Sequence, residues 1–156
     1  SLSLLNSILG GSSSSRLYSR IREDMGLCYS ISSSIHLDRN TGLFSVFTAT
    51  DPKNNKNIVE IIIDEIENVK KDRIKDEELE IAKAQFKASI MFNQENMSSI
   101  MKRNASQYFW YNKIISSQDV LKKIEKINMK DIYDIYYKTF SDKNYSIYKI
   151  IPEDSK

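Results

Sequence analysis

Residues Leu9 to Tyr29 read LGGSSSSRLYSRIREDMGLCY, a stretch that combines a helix stop, a helix start and a positioned charge. Gly10 and Gly11 are expected to supply the positive φ that ends one helix without a Cβ penalty. The serines after them, Ser12 to Ser15, are expected to cap the free N–H groups of the next. Two helices then meet at a tight corner. From about Ser14 the run SRLYSRIRE has a helical period, with Leu17 and Ile21 on one face, until Gly26 breaks it and a strand-like alternation begins. Arg22 falls in the last turn of that helix and Tyr29 early in the strand. The corner therefore holds a guanidinium and a phenol near each other, both able to donate hydrogen bonds to one acceptor. The alternation puts Tyr29 on the strand face of Leu27 and Ile31, where it would be half-buried beside a surface Arg22 paired with Glu23 or Asp24.

Working outward, Leu2, Leu5, Ile8 and Leu9 recur at helical spacing and predict a short amphipathic helix that ends at the glycines. Downstream, Leu27, Tyr29, Ile31 and Ile35 alternate with Cys28, Ser30, Ser32 and Ser34, the period of a half-buried strand. His36 to Asn40 is polar and leads to a turn at Thr41-Gly42. Leu43 to Thr50, LFSVFTAT, reads as a second, more continuously apolar and therefore more central strand, antiparallel to the first because the link is short. Ile58, Ile62, Ile66 and Val69 set a helical stripe after Asp51-Pro52. Leu79, Ala82, Phe86 and Ile90 set another, opened by the acids Asp76, Glu77 and Glu78 that suit a helix N-terminus. The pattern resumes at Met97, Met101, Ala105 and Tyr108, as one bent helix or two joined end to end. Ile115 with Val120, and Ile127 with Ile132, are placed as hydrophobic staples around Ser116 and Asn128, each opening a short helix. Tyr145 to Ile151, YSIYKII, is rich in strand formers and is expected to be a final strand joining the sheet before Pro152. The fold class is α+β, a mostly antiparallel sheet with helices packed on one face.

The chain has 156 residues, 40% of them hydrophobic, enough for one domain with a core. A formal charge of +2, with lysines interspersed among acids as in KKDRIKDEELE, gives no concentrated basic patch, so no nucleic-acid partner is expected. SLSLLNSIL is too short and polar to span a bilayer, no membrane partner is expected, and the expected compartment is cytoplasmic. Cys28, the single cysteine, has no partner for an internal disulfide and reads as a small strand residue. His36, the single histidine, reads as an exposed loop residue. The serines after two glycines have the look of a phosphate loop, but Ser15-Arg16-Leu17 stands where Gly-Lys-Ser/Thr is required, and a helix corner is the reading kept. Tyr108-Phe109-Trp110-Tyr111 could line a chamber or a domain contact. Tyr108 is read as core packing, and the others are left open.

Leu9-Gly10-Gly11, Ser14-Ser15-Arg16-Leu17-Tyr18, Ile21-Arg22-Glu23 and Gly26-Leu27-Cys28-Tyr29-Ser30 together resemble the signature of pitrilysin-type (insulinase-type) zinc peptidases. The resemblance continues through Thr41-Gly42-Leu43-Phe44, Asp76 to Leu79 with Ala82-Lys83, and Ile127 to Ile132. The part resembled is the family's second, non-metal domain, closest to bacterial processing-protease and mitochondrial processing peptidase-like members. Ser12 departs from the family's third glycine. The resemblance implies that residues 1–156 form an N-terminally truncated C-terminal domain, a half-domain lacking its first strand, with the metal-binding domain absent.

It implies further that the full-length protein is a zinc metalloendopeptidase acting on extended or unfolded peptides. This fragment would then be inactive alone and hold no zinc, since the inverted His-x-x-Glu-His motif is missing. By resemblance, Tyr29 stabilises the transition state and binds substrate, and Arg22 binds the peptide backbone. The partners implied are a peptide substrate and the enzyme's own metal-binding domain, and a homodimer is allowed. The rival readings are a non-catalytic homologue or an assembly subunit that binds peptide or partner without cleavage.

Overall fold

The apolar stripe of the first residues folds as helix α1, Leu2–Leu9, with Leu4, Leu5, Ile8 and Leu9 all buried. The protein is described by a computed structural model covering residues 1–38, 40–141 and 145–152, the side chains of residues 55 and 56 excepted. At the corner after α1 the glycines act differently from the sequence expectation. Gly10 has φ −161°, extended backbone that any residue adopts, and Gly26 alone among the glycines has positive φ, +60°. What Gly10 supplies is room. A Cβ there would lie 2.7 Å from Ser33 Oγ and 3.1 Å from Leu17 Cδ1. The serines do not cap the next helix either: Ser15 is buried and its Oγ donates to Ser12 O at 2.6 Å, closing a turn.

The next segment is a π-helix, Tyr18–Asp24, where the spacing predicts an α-helix. Its wider turn still sends Leu17 and Ile21 inward, both fully buried. It closes through Met25 N–H on Arg20 O and Leu27 N–H on Ile21 O, each at 3.0 Å, around the left-handed Gly26.

Strands β1, Cys28–Leu37, and β2, Gly42–Thr50, form an antiparallel hairpin in which Ser34 faces Ser45 and Leu37 faces Gly42. Arg39, part of the expected turn, lies outside the described residues. Ile31 and Ser33 are buried on the face toward the helices, while Ser30, Ser32 and Ser34 are exposed on the other. β2 buries none of its residues fully, and Leu43 and Phe47 are exposed, so it is not the more buried strand its apolar run suggests, and in the two-stranded ladder of the described residues neither strand is central. Its apolar run serves one half-buried face. His36 is exposed, as expected, but stands in β1 opposite Leu43 and not in a loop.

Helices α2 (Asn55–Asn68), α3 (Asp76–Gln94), α4 (Met97–Tyr111), α5 (Ser117–Lys126) and α6 (Met129–Phe140) complete the chain. The break between α3 and α4 settles the open alternative in favour of two helices, with Asn96 Oδ1 accepting Ser99 N–H at 3.1 Å as the cap of the second. The caps at Ser116 and Asn128 form as expected, each accepting an N–H three residues on. The core has two clusters. One joins α1 to Val69, Ile74, Leu79, Ala82, Ile132 and Tyr136. The other joins Leu17, Ile21 and Ile31 to Ile58 and Ile62. Ile66 packs against both, and its carbonyl accepts the Tyr136 hydroxyl at 2.8 Å. Each fully buried Leu or Ile here contributes roughly 1.5–3 kcal/mol relative to exposure.

Two further sequence expectations fail. Tyr145–Ile151 lies outside any strand: β1 and β2 are the only ladder among the described residues, and Tyr148 and Ile150 are 94% and 102% exposed. Strand propensity without a neighbouring strand builds no ladder. The stripe Met97, Met101, Ala105 and Tyr108 on α4 faces solvent, because the helix packs through the opposite face, where Arg103 Nη1 donates to Ser117 Oγ and Gln107 Oε1 accepts Ile115 N–H.

Candidate functional site

The corner between the π-helix and β1 gathers side chains whose placement depends on one irregularity of the ladder. Cys28 pairs with Thr50 and Ser30 with Ala49, so two steps along β1 match one along β2, and Tyr29 is the extra residue of a β-bulge. Regular alternation would put Tyr29 with Ile31 on the inner face. The bulge breaks that alternation, and Tyr29 is 74% exposed, which corrects the half-buried placement expected from spacing. Bulges re-aim side chains in this way because the inserted residue is released from the pleat.

Carbonyls at and beside the bulge are held by side chains. Leu27 O accepts from Thr50 Oγ1 and, at 3.2 Å, from Asn54 Nδ2. Ser30 O accepts from Thr48 Oγ1 at 3.1 Å. Tyr29 O accepts from Arg22 Nε at 3.0 Å. Arg22 also donates from Nη1 to Glu23 Oε1 at 3.2 Å, and its guanidinium lies 4.7 Å from the centre of the Tyr18 ring. Its remaining nitrogen, Nη2, meets no acceptor among the described residues. The structure thus brings Arg22 to the backbone of Tyr29, and the two side chains border one exposed corner. The pairing with Glu23 expected for a surface arginine is also present. An exposed ion pair of this kind is worth little stability, whereas a cation held over a ring face is oriented.

At the other end of the π-helix, Arg16 ties its start to the beginning of α3, a role the sequence reading did not assign. Its Nε and Nη2 donate to Glu78 Oε1 and Oε2 at 2.7 and 2.8 Å, and Nη1 and Nη2 also reach Asp72 O and Arg73 O at 3.0 and 3.1 Å. Glu78 in turn accepts Lys75 N–H at 2.7 Å, closing the start of α3. Burial pushes the Glu78 carboxyl up, but the Arg16 hydrogen bond, the Lys75 N–H and the nearby positive charge together hold it below its ordinary value. The Arg16 guanidinium is raised by the same bond to Glu78. Both residues stood in the motifs quoted above; the signal that could have joined them is one arginine and one helix-opening acid, each without a local partner. Tyr18, Thr48, Thr50 and Asn54 were also missed, because only the bulge gives them work.

The other candidates carry no site. Cys28 is half-buried and in no disulfide. Tyr108, 60% exposed, is not core packing, and Phe109, Trp110 and Tyr111 are exposed beside it. Among the described residues no three His, Cys, Asp or Glu side chains gather to hold a metal ion, so zinc does not fit the residues present. No helix among them is long and apolar enough to cross a membrane.

Residues 1–86 match the family model described as the peptidase M16 inactive domain. The chain is 30% identical over 151 residues to an uncharacterized zinc protease of Bacillus subtilis, covering 97% of this chain and 37% of that protein. It therefore spans little more than a third of that relative's length. In fold it is similar to a protease from Helicobacter pylori, with TM-score 0.76, 21% identity and coverage of 88% of this chain and 33% of that one. It is also similar to the peptidase M16 inactive domain from Pseudomonas fluorescens, with TM-score 0.74, 22% identity and coverage of 87% and 32%. At such identities these two likenesses speak for the fold alone. The family model covers the helix corner, the bulge and the start of α3, and the chain belongs to the peptidase M16 family of zinc proteases, as its inactive domain.

Proposed function

We propose that the chain is the substrate-binding half of a zinc metalloendopeptidase acting on extended or unfolded peptides, with the metal held by a separate domain that closes against it. The observation that carries this reading is the bulge, which frees the Tyr29 phenol into solvent while Arg22 is fastened to the same residue's carbonyl. A phenol O–H with no competing partner can donate to a peptide carbonyl oxygen, and its donation strengthens as that oxygen gains negative charge during attack. Arg22, oriented by Tyr18 and the Tyr29 carbonyl, keeps Nη2 for a second carbonyl of the peptide. Backbone contacts of this kind give weak sequence preference, which suits a clamp for extended chains.

The test is reconstitution. The chain alone is expected to hydrolyse no peptide above background and to bind no stoichiometric zinc by elemental analysis. Combined with the metal-bearing domain of its own protein, it is expected to restore cleavage of extended peptides. Turnover by the chain alone would overturn the reading. Peptide binding by the reconstituted pair without any cleavage would favour the non-catalytic homologue instead.

A further inference from the structure

Leu27 is tied at both of its backbone groups. Its N–H donates to Ile21 O at 3.0 Å, which closes the π-helix, and its carbonyl accepts two side-chain donors at once, Thr50 Oγ1 and Asn54 Nδ2. Thr50 ends β2, and Asn54 ends the short 3₁₀ turn Pro52–Asn54 that leads into α2. That turn holds its own shape: Asn54 N–H donates to Asp51 O and Lys53 N–H to Asp51 Oδ1, each at 2.9 Å. Asn54 stands at the N-cap position of α2, where an asparagine side chain ordinarily caps the helix, yet it makes no such bond. Its amide is turned back to Leu27 instead.

A carbonyl oxygen offers two lone pairs, and a single donor leaves the peptide plane free to swing about that bond. With two donors arriving from different residues, the Leu27–Cys28 peptide plane is fixed. Cys28 then enters the ladder opposite Thr50, and the next residue is the bulged Tyr29, which has no partner of its own on β2. The bulge is therefore aimed from its N-terminal side by Thr50 and Asn54, separately from Arg22, which holds Tyr29 O. Both are half-buried polar groups outside the two apolar clusters.

We propose that Thr50 and Asn54 are positioning residues for the Tyr29 phenol: they hold the Leu27 carbonyl so that the bulge aims Tyr29 at the carbonyl of a bound peptide. This deepens the role proposed above for Tyr29 and rests on it. Neither side chain acts on the peptide itself, and each works through the backbone of residues 27 to 29. A misplacement of about 1 Å at a group that must meet the reacting oxygen can cost about 10²-fold in rate, so two hydrogen bonds at this carbonyl are enough to matter. The phenol's donation strengthens as charge develops on that oxygen, so misaiming it lowers kcat more than it raises KM.

A double-mutant cycle on the full-length protein tests this. Thr50→Val keeps the branched shape and loses the donor, and Asn54→Ala loses the amide. Each is expected to lower kcat by roughly tenfold, with KM within about twofold of the parent. In the Tyr29→Phe background the same substitutions should change kcat by less than about twofold, because no phenol is left to misaim. Thr50→Ser returns the hydroxyl and should restore the rate. Parental kcat in Thr50→Val and Asn54→Ala, beside a slow Tyr29→Phe, would overturn the proposal and leave the reading of Tyr29 standing. Equal losses in both backgrounds would overturn it as well, since a merely structural contact gives that result. Tyr29→Phe with parental kcat would overturn both.

Discussion

Arg22 is fastened to the main chain of the residue whose side chain it borders: its Nε donates to Tyr29 O at 3.0 Å, while the Tyr29 phenol stands 74% exposed. On the proposed reading, Tyr29→Phe in the full-length protein is expected to lower kcat by about tenfold to a thousandfold, the range for losing one donor to a developing oxyanion. Its melting temperature should move by less than about 2 °C, since no buried contact is lost. Steady-state kinetics with calorimetry on the same samples separates this from loss by unfolding.

Arg22→Ala should act more broadly. On the proposed reading it removes a peptide contact as well as the bond to the Tyr29 carbonyl, so kcat/KM should fall with both parameters affected. Arg22→Lys cannot keep Nε on the carbonyl while presenting a second nitrogen, and should behave as the alanine variant does. A lysine variant with wild-type kcat/KM would remove Arg22 from the site.

The Arg16–Glu78 pair is a stability element. Four guanidinium bonds to a carboxylate and two carbonyls join the segment before the π-helix to the start of α3, with side chains only 14% and 25% exposed. Arg16→Ala is expected to cost about 2 kcal/mol, because it strands a largely buried carboxylate as well as breaking the bonds. Denaturant unfolding measures this directly.

The same pair sets an acid limit. Glu78 is held below its ordinary carboxylate value in the folded chain, so its contribution to stability is present above the unfolded value and lost as pH falls through the folded one. Glu78→Gln should therefore be less stable at neutral pH, and the gap between variant and parent should narrow as pH drops below the ordinary carboxylate value. Unfolding curves across acidic pH check the sign.

Gly10→Ala is expected to destabilise by about 1–3 kcal/mol through overpacking, because its Cβ would press on the Oγ and Cβ of Ser33 at 2.7 and 2.9 Å. Gly26→Ala meets nothing within 4 Å and should cost only about 1 kcal/mol, from its left-handed φ of +60°. Thermal unfolding of the two variants side by side distinguishes crowding from strain.

Helices were the legible part of the sequence, because their stripes are local. Ile58, Ile62 and Val69, or Leu79 and Ala82, repeat at helical spacing and are buried accordingly. The caps at Ser116 and Asn128 announce themselves within four residues. What could not be read depends on partners distant in sequence. The bulge at Tyr29 exists only against β2, and the close approach at Gly10 only against Ser33. The stripe of Met97 and Met101 has a helix period whether or not another element covers it, and here none does among the described residues. Tyr145–Ile151 has the propensity of a strand but no neighbour in register. Arg22 and Tyr29 were visible as a spacing, but the route by which one reaches the other was not.

The side-chain latches at the bulge bear on how the family can vary. The carbonyls of Leu27, Tyr29 and Ser30 are gripped by Thr50, Asn54, Arg22 and Thr48, residues that contribute almost nothing to the two apolar clusters. The direction of the phenol is therefore governed by a set of exposed or half-buried polar groups that can be exchanged one at a time without disturbing the core. On the proposed reading, exchanging a single latch would re-aim the corner toward a different peptide geometry while the two apolar clusters beneath it keep their own packing.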